Sequence, residues 1–110
     1  MILPQTEWVQ PTEYPDLRSF DEIAIDLETK DVDLKTKGSG AVVGNGKVVG
    51  IAVATYNDSW YFPIAHGEGP NMDYKKTLEW FKDILECPAT KIFHNAMYDV
   101  CWIRNLGLKI

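Results

Sequence analysis

Cysteine is scarce: Cys87 and Cys101 stand fourteen residues apart and form no Cys-x-x-Cys pair. This excludes a disulfide-stapled secreted scaffold and a cysteine-rich zinc module. Long apolar runs are missing too, none approaching the roughly 18 residues that a membrane span requires. The first ten residues hold neither a basic cluster nor an apolar stretch, so no secretory signal is legible. Positive charge is in deficit. Eleven Lys and Arg face sixteen Asp and Glu, a net charge of -5, whereas a protein that holds nucleic acid by bulk electrostatics is basic. The deficit is uneven: residues 1–34 carry a net -7 and residues 35–110 a net +2. Any handling of DNA or RNA must draw positive charge from bound cations or from other parts of a larger protein. The glycine clusters at 38–40 and 44–46 lack the spacing and the Lys of a phosphate-binding loop.

What is present is an ordinary globular balance, 45% hydrophobic and 25% charged over 110 residues, which suits one small domain. The expected setting is a soluble protein of a reducing, cytoplasmic compartment, without a membrane partner. Residues 1–20 carry Pro4, Pro11 and Pro15 with Trp8 and Tyr14 and show no period, predicting an extended arm anchored by aromatics. Residues 22–28 alternate cleanly, with Ile23, Ile25 and Leu27 on one face and Ala24, Asp26 and Glu28 on the other, which predicts a strand. Residues 30–47, polar and glycine-punctuated, read as a long loop. The runs 48–55 and 59–64 predict two strands joined by a hairpin turn at Tyr56, Asn57 and Asp58. Tyr74, Leu78, Phe81 and Leu85 form a helical stripe within 73–87, closed by Pro88. A short strand at 91–94 follows, then a helix with Asn95 as N-cap and Gly107 as stop. The order β-β-β-α-β-α implies a mixed α/β sheet covered by helices.

The acidic pair on the first strand carries the chemistry. Asp26 and Glu28 share a face, about 6.6 Å apart along the strand. A mid-strand carboxylate is costly to bury unless it is paired, protonated or bound to a cation, and two together repel. No Lys or Arg within the strand neutralises them. A divalent cation would, since Mg²⁺ takes oxygen ligands from one or two carboxylates plus substrate phosphate. The alternative is an edge strand with its polar face in water. A second cluster, His94-Asn95-Ala96-Met97-Tyr98-Asp99, opens the last helix at the C-terminal end of a strand, where open α/β sheets place ligands. Asn95 and Asp99 share a helix face, so Asp99 is expected to project toward the region of Asp26 and Glu28. Its alternative role is to favour the helix dipole, with Asn95 only a cap.

Together these segments resemble a known family. Ile25-Asp26-Leu27-Glu28-Thr29 resembles the first motif, D-x-E-T, of the proofreading 3′→5′ exonuclease superfamily. His94-Asn95-Ala96-Met97-Tyr98-Asp99 resembles its second motif, N-x-x-x-D, in the form carried by family A DNA polymerases. Pro15-Asp16-Leu17, Gly50-Ile51-Ala52-Val53 and Tyr61-Phe62-Pro63-Ile64 look like the phage and bacterial members, so the resemblance spans about residues 15–110. It implies a ribonuclease H-like fold, with an arm at 1–20 and a partial exonuclease domain at 21–110. It also implies two-metal removal of nucleotides from a single-stranded DNA 3′ end in replication, in the host cytoplasm for a phage protein. Two Mg²⁺ or Mn²⁺ ions would serve, one generating a hydroxide and the other stabilising the departing 3′ oxygen. By resemblance, Asp26 bridges both metals and Glu28 binds the one carrying the attacking water and touches the terminal 3′ hydroxyl. Asp99 holds the second metal. Asn95 hydrogen-bonds the substrate or the carboxylates, and the Leu27 to Thr29 backbone lies against the terminal nucleotide. The remainder of a polymerase chain would be the partner.

The family's third motif, Y-x-x-x-D or H-x-x-x-x-D, has no counterpart through Ile110; Y-P-D-L-R at 14–18 does not substitute. The expectation is a fragment lacking the C-terminal strand and helix of the fold, inactive or nearly so alone because distances matter steeply in catalysis. Its unfinished sheet edge would invite pairing with a partner chain or a second copy. Two alternatives stand beside this reading: a non-catalytic nucleic-acid-binding or polymerase-scaffold domain of the same fold, and a ribonuclease D-like 3′→5′ exoribonuclease, which shares both motifs. His66 is expected to bind near the single strand or to make plain loop hydrogen bonds rather than act as a general base, and His94 to pack or hydrogen-bond, with a substrate contact as its alternative. Trp60, Tyr61, Phe62, Trp80 and Trp102 are expected in the core or at its flank, and Cys87 and Cys101 as buried small hydrophobes.

Overall fold

The computed structural model describes residues 10–31, 34–67 and 69–110. The alternating segment forms β1 (Glu22–Lys30). The segment expected as loop instead forms two short turns of helix, α1 (Leu34–Lys37) and α2 (Gly40–Val43). A single turn needs only local bonds: Gly38 N–H donates to the Leu34 carbonyl at 3.1 Å and Gly44 N–H to that of Gly40 at 2.8 Å. Such turns leave no apolar period to read. Next come β2 (Lys47–Ala54) and β3 (Ser59–Pro63), then α3 (Tyr74–Glu86), β4 (Thr90–Phe93) and α4 (Ala96–Asn105).

The sheet has four strands in the order β3-β2-β1-β4. The β1–β2 and β2–β3 pairs are antiparallel and β1–β4 is parallel, so the hairpin meander followed by one helical crossover gives the expected mixed α/β sheet. Thr55 N–H donates to the Asp58 carbonyl at 2.9 Å and closes the β2–β3 hairpin.

The core gathers the odd face of β1 (Ile23, Ile25, Leu27) with Ile51, Val53 and Phe62, and with Phe81, Ile84 and Leu85 of α3 and Trp102 and Ile103 of α4. Both long helices therefore pack on this one face of the sheet. The opposite face stays open, with Ala24, Asp26 and Glu28 exposed and Ala52 and Ala54 half-buried. On α3 the buried stripe is Thr77, Phe81, Ile84 and Leu85, while Tyr74 lies outside it. Tyr74 follows the N-cap Asp73, whose side chain accepts from Lys76 N–H at 2.9 Å, and the first turn faces water. Thr77 is buried because its hydroxyl is satisfied twice: it donates to the Asp73 carbonyl at 2.7 Å and pairs with the Tyr14 hydroxyl at 2.7 Å.

Of the expected arm, residues 1–9, including Trp8 and Pro4, lie outside the described residues. The part from Gln10 onward is anchored by Tyr14, which stacks on Phe62 with ring centroids 5.6 Å apart, and by Leu17, fully buried. Trp80 secures it further by donating its indole N–H to the Pro15 carbonyl at 2.7 Å. Cys87 and Cys101 are free thiols and half-buried rather than fully inside. Among the described residues, no helix is long and apolar enough to cross a membrane.

Candidate metal centre

The site lies where β1 outruns β4. The parallel ladder ends with Phe93 opposite Ile25, so the β1 backbone from Asp26 onward has no strand neighbour on that edge. The Leu27 amide would be left without a partner, a costly state for a backbone donor. Asp99, in the first turn of α4, comes to this edge, where the Leu27 and Asn95 backbone amides act on its carboxylate and favour its charged form. Asn95 sits at the N-cap of α4, but its side chain makes no capping bond. The bond that joins the two residues is between backbones, the Asp99 N–H donating to the Asn95 carbonyl at 3.0 Å. The exposed Asn95 side chain is left facing solvent.

Burial inverts the cost argument made from sequence. Asp26 and Glu28 are exposed, because the outer face of β1 is open even though the strand is interior to the sheet. The buried carboxylate is Asp99, at 2% exposure. Its pKa is raised above the usual carboxylate value, first by burial and second by the negative charge of Asp26; the Leu27 and Asn95 amides and the His94 imidazole oppose the rise. Asp26 and Asp99 are therefore close enough to repel. That is the electrostatic condition which a cation relieves.

Glu28 shares the exposed face of β1 with Asp26, and its charge falls on Tyr61, whose hydroxyl pKa is raised by burial and then by Glu28. Among the described residues, no three His, Cys, Asp or Glu side chains gather into a ready-made metal cluster. The donor set fits a hard cation in type: oxygens from Asp26 and Asp99, with Glu28 on the same strand. It leaves most ligands to water or substrate, as Mg²⁺ binding commonly does.

Several supporting groups were not singled out in the sequence. A register shift between Glu28 and Thr29, where Glu28 faces Gly50 but Thr29 faces Val48, marks a β-bulge. Val49, the skipped residue, accepts from the Ile64 and Ala65 amides at 2.9 and 3.1 Å. Bulges re-aim side chains and cluster near active sites. Beyond the bulge, the Tyr98 hydroxyl donates to Asp31 Oδ2 at 2.8 Å and lies 2.8 Å from Thr29 Oγ1. With the phenol hydrogen committed to Asp31, the Thr29 hydroxyl is the donor of the second bond. Asp31 also accepts from the Gly40 N–H at 3.0 Å. This network ties the end of β1, α2 and the first turn of α4 together, one residue from Asp99. The only hint in the sequence was the tyrosine directly before Asp99.

Leu27 buries its side chain in the core, so any substrate contact there falls to its backbone, whose amide already serves Asp99. His94 is exposed and acts on Asp99 through charge. His66 makes loop hydrogen bonds: its N–H donates to Asn71 Oδ1 at 2.9 Å, and its imidazole Nε2 bonds the Tyr61 hydroxyl. An open concavity of about 300 Å³ lies on the outer sheet face, lined by Asp26, Ala24, Ala52, Ala54, Ser59 and Tyr61 among others.

The chain matches no protein-family model, and no curated protein is significantly similar to it.

Proposed function

We propose that this chain is the 3′→5′ exonuclease region of a DNA polymerase of the family A type, with a ribonuclease H-like fold, acting on the 3′ end of single-stranded DNA. The reading is carried by one observation: the Asp99 carboxylate lies at the free edge of β1 and feels the charge of Asp26. Two motif residues far apart in sequence thereby share one electrostatic site, which a merely dipole-favouring Asp99 did not require. Asp26 and Asp99 would hold Mg²⁺ or Mn²⁺, with Glu28 contributing from the same strand face. When bound, such ions polarise a phosphate oxygen and make water a stronger acid.

The remaining work belongs to the chain's own groups. The Leu27 and Asn95 amides fix the Asp99 carboxylate so that it does not swing away when unliganded. The Tyr98–Asp31–Thr29 network holds the first turn of α4 against the end of β1. Exposed Glu28 and Asn95 are free to meet a terminal nucleotide. With two carboxylates in mutual reach and Glu28 to one side, this chain alone should hold cation weakly and hydrolyse slowly.

Thermal unfolding with millimolar Mn²⁺ or Mg²⁺ is the direct test. The expected result is a saturable rise in midpoint, following mass action and amounting to about 2.7 kcal/mol at a hundredfold excess over Kd, lost in Asp26→Ala. A cation effect that is absent, or unchanged by that substitution, refutes the metal centre. Comparing single-stranded DNA with RNA as substrate separates this reading from a ribonuclease D-like enzyme.

A second reading, a non-catalytic nucleic-acid-binding or scaffold domain, is favoured by the lack of a three-ligand cluster among the described residues. Metal-dependent hydrolysis abolished by Asp99→Ala excludes it.

A further inference from the structure

On the open face of the sheet, register places Glu28 opposite Gly50, and Asp26 in a row with Ala52 and Tyr61. Tyr61 does not extend away from its own row. Its ring leans along β2 and lies on Gly50, where an added Cβ would overlap the phenol oxygen. Any residue but glycine at 50 would push the hydroxyl off the backbone position facing Glu28. His66 holds the other side of the hydroxyl through Nε2, with its ring edge-on to Tyr61 at 5.7 Å and 69°. The backbone that carries this imidazole is held by Asn71, whose side chain accepts from the His66 backbone N–H at 2.9 Å and donates to the His66 backbone carbonyl at 3.1 Å. Two separate devices, a bare glycine and an imidazole on a loop pinned by Asn71, thus meet one phenol beside one motif carboxylate. Packing alone explains neither of them, since Tyr61 is half-buried at the sheet surface.

We propose that Tyr61, cradled by Gly50 and gripped by His66, is the positioning residue for Glu28, fixing its carboxylate for cation binding. The inference rests on the metal-centre reading above. With the proton of His66 on Nε2, the imidazole donates to the phenol oxygen, and the hydroxyl hydrogen is released for the carboxylate. A hydrogen bond of this kind holds one carboxylate oxygen and leaves the other for the ion. Partners that hold metal ligands in this way are worth about 10- to 100-fold in metal affinity.

The test is a Mn²⁺ titration of the full chain, followed by electron paramagnetic resonance, with thermal midpoints recorded in parallel without metal. Tyr61→Phe and His66→Leu are expected to bind Mn²⁺ about tenfold more weakly than wild type, whereas His66→Gln, which keeps a donor at that reach, stays near wild type. Gly50→Ala retains the hydroxyl but displaces it, and should weaken binding in the same direction even where Tyr61→Phe alters folding. Wild-type affinity in Tyr61→Phe and Gly50→Ala, with binding still abolished by Asp26→Asn, overturns the positioning role and leaves the metal centre standing. No Mn²⁺ binding by the wild-type chain, or equal binding by Asp26→Asn, removes the metal centre and the positioning role with it.

Discussion

A carboxylate at 2% exposure ordinarily has an ion-pair partner, yet Asp99 has two backbone amides and a like-charged neighbour. The amides favour the charged form, but burial and Asp26 outweigh them and favour the protonated form. The sign of its linkage follows. A carboxyl whose pKa is raised by folding contributes stability that is fully present below its unfolded value and is lost as pH rises through the folded value. The stability of wild type relative to Asp99→Asn should therefore be level at low pH and fall through the range above the ordinary carboxylate pKa. Paired denaturant titrations from pH 3 to 8 measure this difference, and a flat or rising one contradicts the raised pKa. Added Mg²⁺ should shrink the fall, because a cation favours the ionised carboxylate. The sequence showed that Asp99 begins a helix after a strand. It did not show that β4 stops short and leaves the Leu27 amide for it, because strand length depends on pairing rather than on local pattern.

At the scale of elements, the site depends on the angle at which α4 leaves the sheet. Trp102 and Ile103 bury that helix in the core, but a helix seated on apolar contacts alone slides more easily than one with directional bonds. The Tyr98 hydroxyl supplies them, to Asp31 and Thr29 at 2.8 Å each. Tyr98→Phe deletes both and, among the described residues, leaves Asp31 the Gly40 N–H. The expected cost is about 1–2 kcal/mol of global stability, measured by urea unfolding, with the Asp26-dependent cation response weakened as well; an unchanged cation response would show that α4 is held by its apolar face alone. The network was illegible from sequence for two reasons. A one-residue bulge at Val49 of β2 shifts the pairing of β1 beyond Glu28, a change that no pattern within β1 records, and single helical turns such as α1 and α2 leave no period. The longer elements were legible because their burial repeats: the alternation of β1 and most of the α3 stripe are seen in the fold, with Tyr74 turned outward and Thr77 inward.

For the molecule as a whole, the net charge of -5 works against nucleic acid, and the strongly acidic first 34 residues contribute β1. A single-stranded oligonucleotide should therefore show no binding in EDTA and measurable binding with Mg²⁺ or Ca²⁺. Its salt dependence should correspond to only about one or two phosphates. Fluorescence anisotropy measures both, and tight binding without divalent ion, with a steep salt slope, would point to a cationic surface instead. Local order along the chain fixed the strands, the two long helices, the mixed sheet and the identity of the acidic residues, since alternation, helical spacing and formal charge are properties of neighbours in sequence. Tertiary structure alone decided that Asp26 and Glu28 face water while Asp99 is buried, that Asp26 pairs electrostatically with Asp99, and that Glu28 sits beside Tyr61. Those facts depend on which strand ends first and which face the helices leave open, and they arise from contacts between residues 69–73 positions apart or held across a three-strand register, which no local pattern encodes.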